Sequence, residues 1–310
     1  MTYGDDDDSR LSTSERREAA RQKAHALRTA HRKKDKRGRV LLKGGLAVVV
    51  VAIVAVVALV IVNTYLKAPA PGPLNMASDG IKIGQNLDAV TTGALQPGKD
   101  PVPSASNAPN VVDIQIYLDY QAPTSGEFER ANAAQIKTWV TRGAATVEFH
   151  PISLLDRYSQ GAKYSTRAAN AVACVANYSS NSFFAYNTLL FTNQPKQGSA
   201  GLTDGQLVKL STQIKDLKRA DSIRKCITDQ SFKAWVNATT ARATAGPVRN
   251  SDLKKIVSTL TVIVNGAQYN GEITDANEFA QFVNVAAGNA FTEESTKSSP
   301  SPSPSPSTTP

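Results

Sequence analysis

Sulfur is scarce in this chain. Its two cysteines, Cys174 and Cys226, lie 52 positions apart. A cysteine pair can staple a fold, exchange disulfides with a partner, or help ligate a metal. No Cys-x-x-Cys occurs, and the three histidines are His25, His31 and His150. Two of these precede a long apolar run, so no metal cluster can be assembled from them with the cysteines. No metal and no cofactor is called for. A structural staple and a redox-active pair both remain open. In an oxidising compartment an even pair of separated cysteines favours the staple. His150 closes a strand-like run, where it could serve as a base or simply pack and hydrogen-bond.

The compartment is written in the first 67 residues. Residues 1–43 carry 13 Lys/Arg against 7 Asp/Glu, whereas residues 68–310 carry 21 against 19. The excess of positive charge therefore belongs mostly to a short tail. A basic tail could bind nucleic acid, but this one abuts an uncharged run from Gly44 to Val62. At about 1.5 Å per residue such a helix roughly spans a hydrocarbon core of about 30 Å. Arg32, Lys33, Lys34, Lys36, Arg37, Arg39 and Lys43 crowd its N-terminal flank, and Lys67 stands on the other side. The positive-inside rule places the N-terminus in the cytoplasm and the rest of the chain outside. This predicts a single-pass plasma-membrane protein with no nucleic-acid partner. A cleaved signal peptide is the rival. Its apolar core would be shorter and its leading segment far shorter than 43 residues, and Pro71 would hinder cleavage after Ala70. Arg16, Arg17, Arg21, Lys23 and Arg28 suit a basic helical face near anionic lipid.

Composition then divides the chain. The expected organisation is a basic cytoplasmic tail (1–43), a transmembrane helix (44–66) and a Pro-rich tether (67–109). A folded domain (110–290) and a disordered Ser/Pro tail (291–310) follow. Within the tether, residues 80–84 suit a short edge strand.

Periodicity alternates inside the domain. Residues 111–118 read as a strand, 123–141 as a helix with one apolar face, and 145–149 as a second strand stopped by Pro151. The resulting βαβ unit implies a parallel pair with a right-handed crossover. A helical block follows, from about 158 to 250, with Thr203 and Asp229 as candidate N-caps. Strand 260–264, the turn Asn265-Gly266 and a short strand at 268–269 form a hairpin. A helix from about 275 to 285 closes the domain, opened by Asp275 and Glu278 in the manner of a capping box. The order is that of an α/β thioredoxin-like fold with an inserted helical domain, preceded by one transmembrane helix.

Three segments carry a family resemblance. Asp119–Glu129, DYQAPTSGEFE, resembles the active-site turn of DsbA-like disulfide oxidoreductases. Those proteins carry Asp, an aromatic residue, any residue, Cys-Pro-x-Cys, Gly and then Phe-Glu. Ser258–Gly266, STLTVIVNG, resembles the family's Thr-Pro-Thr-x-x-Val-Asn-Gly hairpin. Residues 150–171 resemble the strand exit and first inserted helix of membrane-anchored bacterial members. The resemblance covers about 110–288.

In that family the first cysteine attacks from a helix N-terminus, and the second resolves the mixed disulfide. The resemblance puts Ala122 at the first position, Pro123 and Thr124 between, and Ser125 at the second. It puts Leu260 where the family has a cis-proline. A non-proline cis bond costs about 2.5–4 kcal/mol, so a trans bond is expected there. Alanine carries no nucleophile, and serine cannot replace a thiol. Asp119 and Glu148, read as acids that would tune a thiol, are left with structural roles. Thr124 and Ser125 are expected to cap the helix. Family members also staple their helical insert, which the resemblance implies for Cys174 and Cys226.

Two function classes follow. One is a redox-silent, membrane-anchored module that binds an extracytoplasmic protein or peptide beside the former active-site turn. The other is a working thiol-disulfide oxidoreductase or isomerase that uses Cys174 and Cys226.

Overall fold

The structure is a computed structural model. It describes residues 17–18, 21–24, 26, 28–29, 52–56, 70–108 and 110–298, with no side chains described beyond 289. It divides into two units, Met1–Ala68 and Pro69–Pro310.

In the first unit every described residue is helical and exposed, including Arg17, Arg21, Lys23 and Arg28. Most of the span expected at 44–66 lies outside the described residues. Its described part, 52–56, is helix with Ile53, Val54 and Val56 exposed. Among the described residues no helix is long and apolar enough to cross a membrane.

The second unit is organised by strand alternation. In β2 (Val112–Leu118), Ile114, Ile116 and Leu118 point into the main core, while Gln115 and Tyr117 face the other way. Helix α1 (Pro123–Thr141) follows, with Pro at its first position, where a missing N–H costs nothing. Phe128, Asn132, Ile136 and Val140 recur every fourth residue and are all buried. Each apolar one contributes about 1.5–3 kcal/mol by leaving water. Asn132 is tolerated among them because its Nδ2 donates to the carbonyls of Phe128 and Ile273, both at 3.0 Å. The chain returns through β3 (Ala145–Pro151), parallel to β2 with Leu118 opposite Pro151.

Five helices fill the crossover to the next strand: α2 (Tyr164–Tyr178), α3 (Phe183–Thr192), α4 (Asp204–Ser211), α5 (Ala220–Thr228) and α6 (Lys233–Ala245). Thr203 caps α4 in a reciprocal box with Gln206. Asp229 does not cap α6 as expected. It ends α5 and pairs with Lys225 one turn back, at 2.7 Å, because α6 starts only after a further turn. Strands β4 (Leu260–Val264) and β5 (Ala267–Gln268) form the expected hairpin. Asn265 and Gly266 both take positive φ, 47° and 88°, as a tight two-residue turn demands.

Helix α7 (Ala276–Ser298) overruns the expected end near 285 and continues into the stretch read as disordered from 291. That stretch opens with Phe291-Thr292-Glu293-Glu294, which continues a helix readily, and the first proline waits until Pro300. The Ser/Pro run after 298 lies outside the described residues. Asp275 accepts from the N–H groups of Asn277 (2.9 Å) and Glu278 (3.1 Å). The Glu278 carboxylate accepts from Glu272 N–H at 3.1 Å, so the box is one-sided.

The largest correction concerns 70–108. These residues are packed against the domain rather than strung out as a tether. Strand β1 (Ile81–Ile83) is fully buried and pairs antiparallel with β3, giving the sheet order β1-β3-β2-β4-β5. Met76 joins the main core. Leu74 N–H donates to Asn177 Oδ1 at 2.8 Å, and Gly72 sits so close to the Trp235 ring that a Cβ there would collide. Side chains about a hundred residues away, Asn177 and Asn181, hold this strap through its Leu74 and Ala89 N–H groups.

Candidate functional site

The turn Asp119–Ser125 links β2 to α1 at the end of the central strand. Ala122 occupies the N-cap position with extended backbone (φ −77°, ψ 124°) and offers no side-chain cap. It is buried, while Pro123 and Thr124 are exposed. Ser125 is also buried. Neither Thr124 nor Ser125 caps the helix as expected, because both lie inside it, past the position from which a hydroxyl reaches the free N–H groups. Instead Ser125 Oγ donates to the Thr259 carbonyl at 2.9 Å and accepts from Asp119 N–H at 3.3 Å. Asp119 N–H also reaches the Thr259 carbonyl, at 3.0 Å. Thr124 and Thr259 hydroxyls meet at 3.3 Å.

The contact across from the turn is therefore Thr259, one residue ahead of Leu260. Leu260 itself is half-buried and pairs with Leu118 at the start of β4. The cis peptide bond among the described residues is Gly246–Pro247, so the bond before Leu260 is trans.

Behind the turn the polar groups are closely matched. Asp119 Oδ2 accepts from the N–H groups of Leu154 (2.8 Å) and Leu155 (2.9 Å). Its Oδ1 accepts from Gln121 N–H (2.9 Å) and Ser165 Oγ (2.6 Å). Burial raises the Asp119 pKa, and these four donors oppose the rise. Gln194 Nε2 donates to the carbonyls of Tyr120 (3.1 Å) and Ala122 (2.8 Å). Its Oε1 lies 2.0 Å from where a Cβ on residue 126 would stand, so a side chain there would make Gln194 shift. Deeper still, Glu129 is fully enclosed. Its Oε1 accepts from Asn187 Nδ2 and Thr188 Oγ1, both at 3.1 Å, and burial lifts its pKa to about 7. Tyr120 OH completes the chain by donating to Asn187 Oδ1 at 2.8 Å.

The sulfurs are elsewhere. Cys174 on α2 and Cys226 on α5 form a disulfide with Cα atoms 5.8 Å apart. Cys174 is wholly inaccessible and Cys226 is 4% exposed. Thiol-disulfide exchange requires approach of an outside thiolate to one of the two sulfurs. Glu148 and His150 do not join the turn either. They sit side by side on the opposite face of the sheet, with His150 stacked on Tyr117 at 4.2 Å. The structure thus brings Ala122, Pro123, Thr124, Ser125 and Asp119 together beside Thr259, and leaves Cys174, Cys226, Glu148 and His150 out. Thr259, Gln194 and Glu129 were missed as site residues. Glu129 stood in the Phe-Glu pair that carried the resemblance, and Thr259 one residue from the position singled out. Gln194 gave no signal.

The sequence model of the family described as Thioredoxin matches residues 98–284. The chain belongs to the thioredoxin family. Among relatives, it is 32% identical over 114 residues to the serine/threonine-protein kinase PknE of Mycobacterium tuberculosis. That stretch covers 36% of this chain and 20% of the kinase, so the chain matches about a fifth of that relative's length. Among solved structures, it is similar to reduced DsbA from Mycobacterium tuberculosis, with 22% identity and a TM-score of 0.49. That likeness covers 69% of this chain and 98% of that one. It is also similar to the reduced disulfide bond oxidoreductase DsbG of the same organism, with 25% identity and a TM-score of 0.45, over 63% and 88%. In this thioredoxin-family chain the turn that opens α1 is built in full but contains no thiol.

Proposed function

We propose that this chain is a membrane-anchored, extracytoplasmic DsbA-like module that binds a protein or peptide partner and does not exchange disulfides. One observation carries the reading. Where an attacking thiolate would have to stand, at the N-terminus of α1, there is a buried methyl group. The one hydroxyl nearby, on Ser125, already donates to the Thr259 carbonyl. Around it, exposed Pro123 and Thr124 form a surface that the hydrogen bonds behind it hold rigid. A pre-ordered surface binds with less entropic loss than a mobile one.

The anchor rests on the uncharged run 44–62 and its basic N-terminal flank. Helical, exposed Ile53, Val54 and Val56 agree with a lipid-facing surface. Mass spectrometry of membrane-extracted protein should find residues 1–67 retained. A mature N-terminus near Ala70 would remove the anchor.

The redox claim is tested with the full chain in a nonionic detergent. Insulin reduction by dithiothreitol should run no faster with the protein than without it. Catalysis that disappears in Cys174→Ser would overturn the proposal and assign the work to the disulfide.

A further inference from the structure

The face of the sheet turned away from α1 carries a cavity of about 180 Å³. Its floor is Gln115 and Tyr117 of β2 with Glu148 and His150 of β3. The 100–104 segment and the 246–250 loop wall it on either side, and the end of α6 contributes Arg242 and Ala243.

The charges around it do not balance. Asp79, Asp100 and Glu148 line the cavity against Arg242 and Arg249. Asp79 is held by Arg242 through two contacts of 2.6 Å. Asp100 and Arg249 are exposed at the mouth. Lys82, directly opposite Glu148 in the β1–β3 register, is engaged by Asp113 at 2.9 Å and by the Ala105 carbonyl at 2.9 Å. Glu148 is left 2% exposed with only hydroxyl donors, Ser78 Oγ and Ser104 Oγ, the latter at 2.8 Å. His150 Nε2 stands 3.6 Å away, at ion-pair distance only if its ring is protonated, and neither nitrogen of that buried ring has a hydrogen-bond partner. A carboxylate taken out of water needs a counter-charge, and an imidazole taken out of water needs partners.

The chemistry of the walls says what kind of counter-charge fits. Among the described residues no group of three His, Cys, Asp or Glu side chains could hold a metal ion. The lining instead mixes Glu148, which faces the His150 ring but pairs with no lysine or arginine among the described residues, with carbon surface from Val248, Ala243, Pro101 and the Tyr117 ring. An aromatic face attracts an organic cation, and apolar walls with a few placed polar groups are the usual make-up of a small-molecule site.

We propose that this cavity binds an alkylammonium or alkylguanidinium group. The charged head lies against Glu148, and the carbon stem runs past Tyr117 toward the mouth. The group belongs either to a free small amine or to a lysine or arginine side chain of a polypeptide. The site is separate from the turn at α1 and does not depend on the function proposed for it.

Calorimetric titration of the full chain in nonionic detergent tests this with agmatine, butylamine, butyrate and the blocked tripeptide acetyl-Gly-Arg-Gly-amide. At least one of the three cations should saturate the protein, and butyrate should not. Glu148→Gln keeps the shape and should weaken cation binding at least tenfold. Ala243→Leu fills the cavity from α6 and should do the same, which keeps the test decisive if Glu148→Gln does not fold. Tighter binding of the tripeptide than of agmatine assigns the group to a polypeptide, and the reverse assigns it to a free amine. No saturable heat from any cation, equal binding of butyrate, or unchanged affinity in a folded variant would overturn the proposal.

Discussion

The turn at α1 and the helical layer divide between them what a thiol enzyme needs in one place. The turn has the position: a helix N-terminus at the end of the central strand, exposed at Pro123 and Thr124 and braced from behind by Asp119 and Gln194. The helical layer has the sulfur, bonded and buried between α2 and α5. Reactivity of a cysteine depends on access and on nearby positive potential, and the two regions hold these requirements apart. Hydrogen bonds and packing alone, with no thiol in the turn, hold its geometry.

The largest effect is expected when sulfur is moved into the turn. The double variant Ala122→Cys with Ser125→Cys should gain insulin-reductase activity from a background of none. Its first thiol should titrate below the ordinary value of about 8.5, because unpaired N–H groups of α1 favour the thiolate. A thiol with an ordinary pKa, measured by alkylation rate against pH, would mean that the turn no longer offers that geometry.

The converse change removes sulfur from the helical layer. Cys174→Ser with Cys226→Ser opens a loop of about 53 residues and should cost about 4 kcal/mol in the chain-entropy model, read by urea denaturation. Partner binding at the turn should survive under conditions where the variant stays folded.

The smallest effect separates the two regions through Glu129, which lies beneath the turn and bonds to α3. Its folded pKa, about 7, stands above the ordinary 4.5. A carboxyl raised in the folded state holds its proton more tightly there, so its contribution to stability falls as pH climbs from about 4.5 to about 7. Glu129→Gln should remove that slope. It should leave stability near pH 4 unchanged and raise it at pH 8 by up to about 3 kcal/mol. Denaturation midpoints at the two pH values check this, and equal shifts at both would assign the effect to packing.

Local signals made the sheet and first helix legible. Alternation over 112–118, the apolar face of Phe128, Ala131, Ile136, Trp139 and Val140, and Asn265-Gly266 each state a period or a backbone demand within a few residues. The order of elements then gave the thioredoxin-like arrangement. Within 70–108 only the short edge strand was legible; the packing of the rest was not, because its partners, such as Asn177 and Trp235, are remote in sequence. The site divided in the same way. Ala122, Pro123, Thr124 and Ser125 stand at the start of a helix whose first proline is visible in the sequence. What Ser125 does there depends on Thr259, 134 positions on, and no local pattern encodes that. Glu148 was read as an acid that could tune a thiol, and His150 as a base or a packed ring, because both are ionisable. Strand parity puts them on the other face with Gln115 and Tyr117, and that parity was present in the sequence.

Strand β1 has one more consequence, for how a partner can be held. Many recognition domains grip an extended peptide by letting it lengthen a sheet. Here the flank of β3 is already taken by the chain's own Ile81–Ile83, and the far flank is β5, only two residues long. With so few strand residues on either margin, self-association through strand pairing is discouraged.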